Sequence, residues 1–137
     1  MQIAILEDDS LHAQLMMRWL SRCGQHSVEV FEKPNEFLNF CHASRSAGCV
    51  IILDAYIDGA LSGELIRSVR ALNSKTACAG IILTSSLPEI HGQAFVAAHD
   101  VDVFVDKDML SESALEIAAT LAARAGALRQ LAATPIS

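Results

Sequence analysis

Apolar positions along the chain follow two alternating rhythms. Runs that are continuous or alternate every second residue occur at "QIAIL" (2–6), "HSVEVF" (26–31), "CVIIL" (49–53), "GIILT" (80–84) and "VDVFV" (101–105). Such runs read as strands. Between them, apolar residues recur every three or four positions, as on one face of a helix. The first helix pattern holds Leu11, Leu15, Trp19 and Cys23, with Met16 and Leu20 beside them and Gly24 as a stop. The second carries Phe37, Leu38 and Cys41 after Pro34. The third carries Leu65, Ile66, Val69 and Leu72. The fourth opens at Ser86-x-x-Glu89, a capping-box pattern, and carries Ile90, Ala94 and Ala97. Gly92 inside it should weaken that helix by about 1 kcal/mol relative to alanine. The fifth, from about Ser111, carries Leu115, Ala118, Leu121 and Ala122.

Strand and helix alternating five times predicts an α/β fold, a doubly wound parallel sheet with helices on both faces. Runs one, three and four are continuously apolar, as strands buried on both faces should be. Runs two and five alternate with Glu29 and Asp102, which places them at the wetter edges. A strand order of 2-1-3-4-5 satisfies both conditions and puts a ligand crevice beyond the carboxyl ends of strands one and three. Ile117, Leu121, Leu128 and Leu131 fall on a heptad-like spacing that Arg124 interrupts. This is too short for a coiled coil, so a last helix with a frayed end is expected. Residues 1–125 should form the domain, and 126–137 the end of the last helix with a tail or linker.

Composition narrows the function. The 137 residues are 52% hydrophobic and 19% charged, enough for one well-buried core. A net charge of −6, with ten scattered basic residues, argues against a direct nucleic-acid surface. No apolar run reaches the roughly 18 residues of a membrane span, and the start at Met1 lacks a leader pattern. A native N-terminus and a cytoplasmic location are expected. Cys23, Cys41, Cys49 and Cys78 form no C-x-x-C pair and read as free thiols in a reducing compartment.

The chemistry lies at the strand ends. Strand one runs into Glu7, Asp8 and Asp9, and strand three ends in Asp54. Parallel neighbours would bring these carboxylates to one crevice, where they repel unless a cation sits among them. Hard oxygen donors suit Mg²⁺ better than Zn²⁺. Strand four ends in the hydroxyl of Thr84, and strand five is followed by the ammonium of Lys107. In that setting Asp54 can serve as a carboxylate nucleophile toward phosphorus, with Thr84 and Lys107 binding phosphoryl oxygens.

The segments "ILEDD", "IILDAYI", "IILTSS" and "VFVDK" resemble the receiver domains of two-component response regulators, over nearly the full chain. The resemblance implies a flavodoxin-like, CheY-like fold. It implies that Glu7, Asp8, Asp54 and the backbone carbonyl of Tyr56 hold Mg²⁺, and that Asp54 accepts phosphate from a histidine kinase or phosphotransfer protein. Thr84 then matches the switch hydroxyl, Phe104 the switch aromatic and Lys107 the phosphoryl-binding lysine. Tyr56 and Ser86 match positions that tune dephosphorylation. The implied output is a changed face of the fourth helix, fifth strand and fifth helix, read by a partner protein, an output domain or a second copy. Two positions depart from the family. Asp58 stands where proline is common, in a loop one residue longer than the commonest form, and should alter Mg²⁺ affinity. Asp108 follows Lys107 where proline is common, so no proline-type cis bond is expected there.

Other readings are weaker. Asp9 and Asp58 taken singly are turn or helix-cap residues. Trp19 reads as core, and His12, His26, His42, His91 and His99 show no ligand spacing. A non-phosphorylated interaction module is the main alternative. An aspartate-nucleophile phosphatase would need a second acid at position 56, which is Tyr56. No G-x-G-x-x-G follows strand one to suggest a dinucleotide enzyme. The expected protein is a phosphoacceptor, not a turnover enzyme.

Overall fold

Five strands pair in parallel, each feeding the next through a crossover. They are β1 (Gln2–Leu6), β2 (Ser27–Phe31), β3 (Val50–Asp54), β6 (Gly80–Ser85) and β7 (Val103–Asp106), in the order β2-β1-β3-β6-β7. This is the order the apolar patterns predict. A computed structural model provides these coordinates and describes residues 1–22, 24–43, 49–57, 59–86 and 100–133. β3 and β6 are buried throughout, whereas β2 and β7 contain no fully buried residue. The continuously apolar runs became the centre because both faces of each strand meet helices.

Alternating side chains divide the interior into two layers. Leu6, Ile51, Leu53 and Ile81 pack with Phe37 of α2 (Pro34–Ala43) and Ile66 of α3 (Gly63–Arg70). Ile3, Ile5, Ile52 and Ile82 pack with Met16 of α1 (Ser10–Ser21) and Leu115 of α4 (Glu112–Ala133). Four α-helices are present among the described residues. The helix expected between Ser86 and Ala97, with Gly92, lies outside them, as do Cys23 and Asp58. No described helix is long and apolar enough to cross a membrane.

Two helix faces differ from the expected ones. In α1 the buried residues are Ala13, Met16 and Leu20, while Leu11 is 76% exposed. The step-of-four line from Leu11 drifts around the helix, because 3.6 residues make a turn, and of its described members Trp19 alone packs on the core. In α4 Leu121 is exposed, and small residues do the packing: Ala118, Ala119, Ala122 and Gly126 are buried. The heptad-like residues Ile117, Leu121, Leu128 and Leu131 all face outward. The helix continues to Ala133, with residues 134–137 outside the described part.

Helix α4 lies backbone to backbone on the start of β6. A Cβ built on Gly80 would stand 1.9 Å from the Ala122 carbonyl oxygen, and one on Gly126 would stand 2.8 Å from the Gly80 nitrogen. This approach carries Arg129 to the amino edge of the sheet. There Arg129 Nη2 donates to Asp102 Oδ1 at 2.6 Å, and Nη1 reaches the Cys78 and Ala79 carbonyls. Arg70 from α3 meets the same Asp102 carboxylate at 3.3 Å, and the Ile81 amide donates to it at 2.8 Å. Cys41 and Cys49 are buried free thiols, and burial pushes them up to about 12 and about 11. Such thiols are unreactive, and Cys41 and Cys49 are unpaired, as their lack of a C-x-x-C pair suggested.

Candidate functional site

The four strands β1, β3, β6 and β7 end in step. Leu6 pairs with Leu53, Asp54 with Thr84, and Ser85 with Asp106. Because all run in parallel, the residues that follow or close each strand emerge on one edge. Glu7 is 1% exposed and Asp54 8%, while Asp8 is exposed. One oxygen from each of these three carboxylates lies within 4.8 Å of the others.

Lys107 reaches this group from the opposite side. Its Nζ lies 2.5 Å from Asp54 Oδ2 and 3.2 Å from Glu7 Oε2. The lysine is set by a short 3-10 turn, Lys107–Met109, capped by the Asp106 carboxylate, which accepts the Asp108 amide. Asp54 Oδ1 accepts the Tyr56 amide at 2.9 Å, and Glu7 Oε1 accepts the Asp9 amide at 3.1 Å. Glu7 Oε2 is buried and makes no well-aligned hydrogen bond, despite the nearby ammonium. Asp9 caps α1 through the Leu11 and His12 amides, as its isolated reading predicted.

The electrostatics follow from burial. Desolvation is the largest influence on Glu7, and the Asp54 charge adds to it. Together they push the Glu7 carboxyl up to about 7, against the Asp9 amide and Lys107, which pull it down. For Lys107, burial alone would lower the ammonium. The hydrogen bond to Asp54 and the charge of Glu7 outweigh it and hold the group above its ordinary value. Three carboxylates thus face one ammonium, which leaves negative charge in surplus. An all-oxygen cluster with that surplus fits a hard divalent cation, so Glu7, Asp8 and Asp54 could hold a metal ion.

The remaining predicted residues sit around this centre at different depths. Thr84 is fully buried beside Asp54 in register, but its hydroxyl donates to the Leu53 carbonyl at 3.4 Å. Ser86 is exposed just past the end of β6. Phe104 is partly buried on β7, paired with Leu83, and lines an open apolar groove of about 490 Å³ with Val105, Met109, Ile117 and Leu121. No cis peptide bond occurs among the described residues, as expected at Asp108.

One element was not foreseen. The long loop after Asp54 forms an antiparallel hairpin, β4 (Tyr56–Ile57) with β5 (Ala60–Leu61), in which Tyr56 pairs with Leu61. The Asp58-Gly59 dipeptide is the signal that could have found it, since Asp-Gly favours two-residue hairpin turns. Gly59 has φ +76°, which a glycine adopts without strain.

Comparison with known proteins gives the fold. No protein-family model matches the chain, and no curated protein matches it. Solved structures do. The signal receiver domain of an HD domain-containing protein from Pseudomonas fluorescens Pf-5 superposes with a TM-score of 0.79, at 12% identity over 95% of this chain and 91% of that one. The chemotaxis response regulator CheY4 of Vibrio cholerae gives 0.76, at 17% identity over 88% and 97%. The signal receiver domain of a Luxo repressor protein from Vibrio parahaemolyticus gives 0.76, at 13% identity over 98% of both chains. The chain therefore has the fold of response regulator receiver domains.

Proposed function

We propose that this protein is a phosphoacceptor of a two-component relay, with Asp54 as the acceptor. The observation that carries this reading is the convergence of Glu7, Asp8 and Asp54 with Lys107 at one sheet edge. An Asp54 carboxylate oxygen attacks the phosphorus of a phosphohistidine on a kinase or phosphotransfer protein. The phosphorus–nitrogen bond breaks, and its electron pair returns to the imidazole, which takes up a proton. Mg²⁺, when bound, supplies positive charge to the phosphoryl oxygens. Glu7, Asp8, Asp54 and the Tyr56 carbonyl would hold it. Lys107 then exchanges its contact with Asp54 for a phosphoryl oxygen.

The aspartyl phosphate acts as a signal, not as a turnover intermediate. Thr84 turns its hydroxyl from the Leu53 carbonyl to the phosphoryl group, and Phe104 follows inward. The groove beside Phe104 changes shape for a protein partner, a second copy or an output domain. Moving such an equilibrium from almost all one state to almost all the other takes about 5.5 kcal/mol of differential binding. Tyr56 and Ser86 set how readily water reaches the phosphoryl group, and the bulk of Tyr56 makes self-hydrolysis slow. The setting is the cytoplasm, where phosphohistidine donors work.

Incubation with acetyl phosphate and Mg²⁺ tests this directly. Intact-mass measurement should show one added phosphoryl group on the wild type and none on Asp54→Ala. An unlabelled wild type would instead mark a non-phosphorylated interaction module.

A further inference from the structure

We propose that the β4–β5 hairpin sets the lifetime of the phosphoryl group on Asp54, with Leu61 as the positioning residue that holds Tyr56. The inference rests on Asp54 being the phosphoacceptor and concerns the loss of that phosphate. The hairpin begins two residues after Asp54, and the Tyr56 amide is already bonded to Asp54 Oδ1. The Tyr56 side chain therefore leaves the backbone beside the carboxylate.

A two-pair hairpin has little stability of its own. This one is fastened at both ends. Ile57 is only 5% exposed and joins the core, while the buried Ser62 donates its amide to the Ala55 carbonyl at 2.9 Å. Alternation then fixes direction. With Ile57 facing inward, its neighbour Tyr56 must face outward, and the directly opposite Leu61 shares that face. Tyr56 is 46% exposed and Leu61 52%. A lone tyrosine half in water would sample several rotamers. The leucine across the pair restricts it to those that keep the ring against the Leu61 side chain, at the rim of the site.

The consequence is kinetic. Hydrolysis requires a water oxygen to attack phosphorus in line while the phosphorus–oxygen bond to Asp54 breaks. The carboxylate leaves with the electron pair, a proton passes to solvent, and inorganic phosphate departs. A ring held at the rim occupies space that the attacking water needs. A ring released from its partner occupies it for less of the time. Nothing in the core depends on the outer face of Leu61, so its loss acts on the ring and not on the fold.

The test is the decay of label on protein phosphorylated with acetyl phosphate and Mg²⁺ and then freed of donor. Leu61→Ala should shorten the phosphoryl lifetime by about two- to fivefold, the range of a cross-strand aromatic–aliphatic pair. Leu61→Met should restore it. In a Tyr56→Ala background, Leu61→Ala should have no further effect. An unchanged lifetime in Leu61→Ala, or an effect that persists without Tyr56, overturns the role of the hairpin. Failure of the wild type to take up label at all overturns the phosphoacceptor reading, and with it this inference.

Discussion

Glu7 concentrates the electrostatic tension of the site in one carboxyl group. Its folded-state value, about 7, lies above its ordinary 4.5, so the folded protein holds this proton more tightly than the unfolded chain does. The resulting stabilisation is complete below about 4.5 and is lost as pH rises through about 7. Lys107 stays charged across that window, because its own value is raised. In metal-free protein kept in chelator, stability should therefore fall between those two pH values, and Glu7→Gln should remove that part of the slope. Urea midpoints measured against pH decide it; parallel profiles for the two proteins would refute the assignment. Glu7, Asp54 and Lys107 were legible in the sequence because a strand end fixes where its next side chain emerges. Leu61 was not, since its role depends on pairing across a turn, and the turn was read only as extra length.

Elements met one another through residues chosen for what they lack. Gly80 and Gly126 let α4 approach β6 at main-chain distance, and a Cβ on Gly80 would collide with a carbonyl that cannot rotate away. Gly80→Ala should accordingly cost about 1–3 kcal/mol, as overpacking does, read from the urea unfolding midpoint. A midpoint equal to wild type would mean that α4 can shift without loss. Helix existence was readable from periodicity, but helix phase was not. Leu11 and Leu121 satisfied the apolar spacing yet face solvent. The step-of-four line through Leu11 drifts off the buried face of α1, and in α4 an alanine-rich stripe packs closer to a strand than leucine can. Central and edge strands were distinguished correctly, since continuous and alternating patterns reflect two covered faces or fewer.

Across the whole molecule, one carboxylate ties together segments far apart in sequence. Asp102 receives Arg129 from α4, Arg70 from α3 and the Ile81 amide from β6. No local motif announces such a cluster, because its members meet only after the sheet has formed. Arg129→Ala removes hydrogen bonds to a charged, nearly enclosed partner and should lower stability by about 1–3 kcal/mol. Thermal unfolding would reveal this, and an unchanged transition would show that Arg70 alone suffices. The order of the sheet also has a consequence in time. The carboxylates of Glu7 and Asp54 follow or close strands made early, whereas Lys107 directly follows β7, the strand of this sheet that is synthesised last. A nascent chain that has emerged only as far as β6 holds the acidic edge without its ammonium. The arrival of β7 therefore completes the sheet and brings the acidic edge its ammonium in a single step.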